Sequence, residues 1–149
     1  MPASPETEAG VTTSPRDNDA YRFPVSVKGV VIRDGAVLLL KNGRDEWELP
    51  GGKLELSESP ELCVAREIEE ELQLTIRPDS LLDSWIYTIV PGIHVLILTY
   101  GCSETSRRKP VLSHEHAQLG WFPLAAVDSL RMPDGYKASI RCWAAHAHS

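Results

Sequence analysis

Cysteine is scarce in this sequence. Cys63, Cys102 and Cys142 stand far apart and form no C-x-x-C pair. An odd number without close spacing speaks against a disulfide framework or a zinc site, and reads as buried thiols of a reducing compartment. Long apolar runs are also missing. The longest, residues 93–100, is strand-sized, well short of the roughly 18 to 20 residues that a membrane-spanning helix needs. Basic residues number 15 against 21 acidic ones, for a formal charge of −6, so the basic footprint that coats a nucleic-acid polymer is absent. A small phosphate ligand stays open, provided that a bound cation reverses the local field. Residues 1–20 lack an apolar h-region and a basic start, and Glu6, Glu8, Asp17 and Asp19 make them acidic. That speaks against a secretory signal and a mitochondrial transit peptide. Their Pro, Ser, Thr, Glu and Ala content predicts a disordered tail.

What remains, residues 21–149, suits one domain with a real core, since a chain of this length buries about 70% of the surface it exposes when unfolded. The expected location is the cytoplasm, with no membrane partner, and a homodimer is left open. From Phe23 the pattern is strand-like through Ile32, then Asp34-Gly35 and the run Ala36-Val37-Leu38-Leu39-Leu40 predict a hairpin. Trp47-Glu48-Leu49 predicts a short strand and residues 60–72 a helix. Runs at 82–90 and 93–102 meet at Pro91-Gly92, which predicts a second hairpin, and a last strand covers 119–122. In residues 136–145, Tyr136, Ile140 and Trp143 fall on one helical stripe. The order describes a mixed sheet with helices packed on it, an α/β (α+β) fold.

Chemistry concentrates around the first helix. Ser59 can cap it, Pro60 fits its first turn, and Glu61 favours the positive dipole end. Leu62, Ala65, Ile68 and Leu72 are its expected apolar face. Glu67, Glu70 and Glu71, at i, i+3 and i+4, bring three carboxylates to the other side. Such crowding is unfavourable by a few tenths of a kcal/mol per like-charged pair unless a cation joins it. Magnesium takes hard oxygen ligands, and Gly51-Gly52 just before the helix lets backbone approach metal or phosphate.

This stretch resembles the Nudix box, G-x5-E-x7-R-E-U-x-E-E-x-G-U with U a large apolar residue, at Gly52, Glu58, Arg66, Glu67, Ile68, Glu70, Glu71 and Leu74. A chance match to the Gly, Arg and Glu positions is on the order of 10⁻⁵ per chain. Gln73 stands where the box has glycine, and a left-handed helix cap is expected there. The resemblance implies an α/β/α sandwich with a mixed β-sheet between helices. It also implies a magnesium-dependent pyrophosphohydrolase, with Mn²⁺ as a workable substitute, that cleaves the diphosphate linkage of a nucleoside-diphosphate derivative. ADP-ribose-like compounds, sugar nucleotides and modified nucleoside triphosphates all remain open as substrates, and an inactive nucleotide-sensing module is the alternative. No nucleic-acid polymer is expected as a partner.

In that frame Glu67, Glu70 and Glu71 hold the metal together with Gly51, while Gly52 and Glu58 support the loop and Arg66 joins the catalytic set through its pairing with Glu58. Glu115, in Ser113-His114-Glu115-His116, is a second candidate for the general base or a further ligand. His114 and His116 are read as loop residues. Arg44 and Lys53 are candidates to meet phosphates, and Trp47, Trp85, Tyr87 and Tyr136 to stack on a base.

Overall fold

Alternation along one central strand sets the plan of the molecule. In β1 (Val25–Arg33), Val25, Val27, Gly29 and Val31 face one side of the sheet, while Ser26, Lys28, Val30 and Ile32 face the other. β2 (Ala36–Lys41) repeats the rule, with Leu38 and Leu40 on the first side and Val37 and Leu39 on the second. A strand apolar on both faces must be covered twice. The computed structural model describes residues 4–5, 8–9, 19–113 and 118–147. Within the expected tail, Ser4–Pro5 and Glu8–Ala9 pair as two-residue strands, and the rest of that expectation, up to residue 18, lies outside the described residues.

The β1–β2 turn uses positive φ at Asp34 (53°) and Gly35 (79°), the twist-matched geometry of a tight hairpin. β3 (Trp47–Glu48) and β7 (Gln118–Pro123) pair with β2, and β4 (Gly51–Lys53) pairs antiparallel with β1 over Ser26 to Lys28. β6 (Ile93–Glu104) lies parallel to β1 on its other edge, and β5 (Ile76–Val90) closes the sheet beyond it. One parallel pair among antiparallel ones makes the sheet mixed, as expected. The second hairpin forms at Gly92, with φ 86°. β5 begins six residues before the expected strand at 82. Pro78 and the polar residues around it hid that extension, and a proline is tolerated there because β5 is an edge strand whose register shifts between Pro78 and Ser80.

Helix α1 (Pro60–Leu72) covers one face and α2 (Asp134–Ala147), reached through the 3-10 turn Leu124–Ser129, covers the other. This is the α/β/α sandwich expected. The stripe Tyr136, Ile140 and Trp143 is buried as predicted. On α1 the buried face is Cys63, Val64, Ile68 and Leu72, whereas Leu62, expected inside, is 64% exposed. The cause lies in β1. A Cβ built on Gly29 would sit 2.8 Å from Ile68 Cδ1 and 3.2 Å from Val64 Cγ2, so the helix settles with Val64 and Ile68 in that gap and Leu62 turned away. Each such buried aliphatic contributes roughly 1.5 to 3 kcal/mol. Cys142, expected as a buried thiol, is exposed on α2, while Cys63 and Cys102 are buried. Among the described residues no helix is long and apolar enough to cross a membrane.

α1 ends at Gln73 in the left-handed conformation (φ 56°, ψ 32°), whose N–H donates to Glu69 O at 2.9 Å. Its side chain is exposed, so the Cβ penalty is not offset by packing. Gln73→Gly should therefore stabilise the protein by roughly 1 kcal/mol. Urea unfolding midpoints of the two proteins measure this, and a lower midpoint for the glycine variant would contradict it.

Candidate functional site

The start of α1 is fixed locally, and that start aims its acidic flank at β4. Ser59 is extended (φ −79°, ψ 161°) and its Oγ accepts the Leu62 N–H at 3.1 Å, with Pro60 in the first turn. Glu71 is 5% exposed, and its Oε1 accepts the N–H of Gly51 at 3.1 Å. One turn earlier, Glu67 lies against Gly52 so closely that a Cβ there would overlap the carboxylate. Gly51 has φ +149°, and a Cβ on it would strike the carbonyl oxygen of Val27. Both glycines are thus demanded by geometry. The neighbouring strand is drawn in by Gly29, whose N–H donates to Pro50 O at 2.9 Å.

Arg66 stands among the acids. Its Nε and Nη2 donate to the two oxygens of Glu58 at 2.9 Å each, the pairing expected from sequence, and its Nη1 donates to Glu67 and Glu70 at 3.2 Å each. Glu58 also accepts the Glu55 N–H at 2.9 Å. The Arg66 bond first, and the Glu55 N–H second, hold the Glu58 carboxyl down at about 2, and the same bond pushes the Arg66 guanidinium up. Burial, with Glu58 nearby, pushes the Cys63 thiol up to about 12, so it is no nucleophile.

The three helix acids do not all meet. Glu67 and Glu71 reach the glycine pair, whereas the Glu70 side chain is 61% exposed and turned toward Arg66. Consecutive helical residues differ by about 100°, and the buried edge of α1 falls between positions 70 and 71. Among the described residues no three acidic, histidine or cysteine side chains converge on one point. The donor set nevertheless fits a hard divalent cation. It is all oxygen, and it stands in a cradle at Gly52 that a methyl group would fill.

On the α2 face lies a cavity of about 80 Å³, lined in part by Lys28, Arg44, Glu48, Tyr87 and Tyr136. Lys28 is only 8% exposed, with its Nζ 3.9 Å from Glu48 Oε2. Asn42 Oδ1 accepts the N–H groups of Arg44 and Glu46 and so shapes the loop that carries Arg44, whose guanidinium lies 5.8 Å from the Tyr87 ring centre. Burial above all pushes the Tyr136 phenol up. The other candidates for substrate contact sit elsewhere. Trp47 packs edge-on against Phe122 with Lys41 above it, Trp85 packs against Tyr136, and Lys53 is exposed on β4. A larger cleft of about 510 Å³, by the β1–β2 turn, has its charges paired, Arg33 with Glu104 and Arg107 with Asp34.

Comparison with known proteins decides the family, because the model of the NUDIX domain matches residues 22–143. The chain belongs to the Nudix family. A MutT-like protein of Streptomyces ambofaciens is 51% identical over 59 residues, 38% of this chain and 38% of its own length. An RNA pyrophosphohydrolase of Hamiltonella defensa is 42% identical over 74 residues, 48% of this chain and 44% of its own. The chain thus spans less than half the length of these curated relatives. Among solved structures, the MutT NUDIX hydrolase from Burkholderia pseudomallei superposes with a TM-score of 0.67 at 29% identity, over 82% of this chain and 98% of that one.

Within this Nudix domain, then, the glycine pair, Glu67, Glu71, Arg66 and Glu58 form one connected group, with Glu70 at its rim. His114, Glu115 and His116 lie outside the described residues. Lys28 and Glu48 were missed as pocket residues. Their signal was a lysine between Val27 and Val30, a charge inside an otherwise apolar strand.

The Glu58 carboxyl, ordinarily near 4.5, is held at about 2 in the fold, so its contribution to stability is complete above about pH 4.5 and is lost as pH falls through about 2. Urea midpoints of the protein should decline across that window, and Glu58→Gln should flatten the decline. Parallel curves for the two proteins would take the Arg66–Glu58 pair out of the stability account.

Proposed function

We propose that the protein is a magnesium-dependent pyrophosphohydrolase that directs water onto the diphosphate linkage of a small nucleoside-diphosphate derivative. The observation that carries this reading is the placement of the Glu67 and Glu71 carboxylates against the two glycines of β4. When bound there, Mg²⁺ would neutralise phosphate charge and lower the pKa of a bound water. Glu67 and Glu71, with Glu70 at the rim and the backbone at Gly51, are the groups to hold it. Arg66 and Glu58 position them, since one guanidinium ties the loop before α1 to two of the three helix acids.

The proton of the attacking water needs an acceptor, and the candidates are the three helix acids and Glu115. Support for Glu115 comes from the described residues on either side of it. Val111 N–H donates to Leu72 O and Ser113 N–H to Glu71 O, both at 2.9 Å, so the chain just before Glu115 is tied to the end of the acidic helix. On the other side Gln118 pairs with Lys41. All the box carboxylates are present, which favours hydrolysis over a sensing module. The acidic balance of the chain favours small nucleotides over a polymer, and Lys53 and Arg44 are the basic candidates to meet phosphate.

Turnover of nucleotide substrates across a Mg²⁺ titration tests the reading. Glu71→Gln and Glu70→Gln should each lower turnover by at least about 10²-fold, and excess EDTA should abolish it until Mg²⁺ is restored. If Glu115 is the base, Glu115→Gln should lower turnover about 10² to 10⁴-fold with the half-saturating Mg²⁺ unchanged. If it is a ligand, that concentration should rise instead. Near-normal turnover in both helix variants would contradict the assignment.

A further inference from the structure

We propose that the open edge of β5 pairs with the same strand of a second copy of this chain, about a two-fold axis at Ile86. β5 is the last strand of the sheet among the described residues, and its 15 residues present an open edge of backbone N–H and C=O groups about 50 Å long. Such an edge invites another strand, and natural sheets guard it with charges, prolines and bulges. The first half of β5 is guarded in that way. Arg77, Pro78, Asp79 and Asp83 stand in it, and its register against β6 shifts between Pro78 and Ser80 and again between Leu81 and Asp83. The guard ends at Asp83. From there to Thr88 the register is regular, and no further charge or proline follows until Pro91, beyond the strand.

The order of residues in the unguarded stretch selects the occupant. Ser84-Trp85-Ile86-Tyr87-Thr88 reads alike from either end: hydroxyl, aromatic, aliphatic, aromatic, hydroxyl. An antiparallel strand meets its own copy in reverse order, so a two-fold axis at Ile86 sets Ser84 opposite Thr88, Trp85 opposite Tyr87, and Ile86 opposite itself. Hydroxyl and aromatic pairs of this kind stabilise antiparallel sheets, and no like charges are opposed. Only a strand with the same order gains every pair, and the chain itself carries one.

Both faces of the strand suit that axis. Ser84, Ile86 and Thr88 lie opposite Leu98, Leu96 and His94 of β6, on the side of the sheet that α1 covers. The cover does not extend to Ile86, which is 56% exposed, and Leu81 and Val90 are exposed along the same strand. In the paired arrangement Leu81 of one copy comes beside Val90 of the other at each end of the contact, so apolar surface now met by water is shared. On the α2 side the Trp85 and Tyr87 ring centres are 5.5 Å apart, and Trp85 stands edge-on to Tyr136. Rings held in that way lose little further freedom on pairing. β6 and β1 stand between this edge and the glycine pair of β4, so the interface does not include the carboxylate site.

Sedimentation of the full chain over a wide concentration range tests the pairing. A species of twice 16.5 kDa should appear and grow with concentration. Ile86→Lys and Ile86→Asp each alter a side chain that is exposed in the single copy, so both should keep a thermal transition close to that of the unmodified protein. Each sets like charges against one another on the axis, and each should weaken association by at least about tenfold. An equal mixture of the two should regain the dimer, because opposite charges then face across the axis. Hydrogen exchange of the unmodified protein needs no variant: amides within residues 84–88 should gain protection as concentration rises, and those within 77–83 should not. A single copy at every concentration would overturn the proposal and leave the edge to a strand of another protein. So would exchange at residues 84–88 that ignores concentration. Dimers that survive in both folded variants, or a mixture that stays monomeric, would also overturn it, since the axis would then lie elsewhere.

Discussion

Two missing Cβ atoms, at Gly51 and Gly52, let a helix rich in glutamate lie against the backbone of a strand, and most of what is distinctive in the molecule follows from that contact. Glu71 is nearly buried, which would be costly for an isolated carboxylate, and the Gly51 N–H meets it. Glu67 fills the space above Gly52. The remaining repulsion is moderated by Arg66, which touches Glu58, Glu67 and Glu70 at once. An ion pair within reach of water contributes little by itself. Its larger effect is orientation, because the same guanidinium fixes the loop, the helix and two of the acids relative to one another.

The sheet separates two environments by alternation alone. Odd positions of β1 from Val25 to Val31 meet α1 and help to hold the acidic flank in place. Even positions face α2, and there Ser26 and Lys28 border a small polar cavity where Val30 and Ile32 continue into core. A one-residue slip of β1 would bring Lys28 under α1 and Gly29 to the cavity, so the register that packs the core also decides which residues border it. The β1–β4 pairing then joins them, with Lys28 opposite Gly51.

Much of this was legible in the chain. The Asp34-Gly35 and Pro91-Gly92 turns, the Ser59 cap, the α2 stripe and the left-handed Gln73 all follow from local chemistry, and local chemistry is what a sequence displays most directly. The Arg66–Glu58 pair was legible for a different reason, a fixed spacing in a known motif. What was missed depended on distant contacts. The face of α1 was taken one step off, with Leu62 inside, because the gap over Gly29 that receives Ile68 belongs to another element. The early part of β5 was hidden by Pro78, and the polar edge of the α2 cavity was hidden because Lys28 and Glu48 meet only when β1 and β3 are brought together through β2. The helical spacing of Glu67, Glu70 and Glu71 was visible, but not that the buried edge of α1 would run between the last two.

The proposed metal site depends on the space over Gly52, which the Glu67 carboxylate fills. Direct titration of the protein with Mn²⁺ as a stand-in for Mg²⁺, followed by electron paramagnetic resonance, measures that without reference to any substrate. Gly52→Ala places a methyl group where the carboxylate lies while leaving all the acids in the chain. This variant should keep a cooperative thermal transition close to that of the unmodified protein and lose at least about tenfold in Mn²⁺ affinity, in line with the cost of disturbing the shell around a metal site. A folded Gly52→Ala protein that binds Mn²⁺ as tightly as the unmodified one would contradict it.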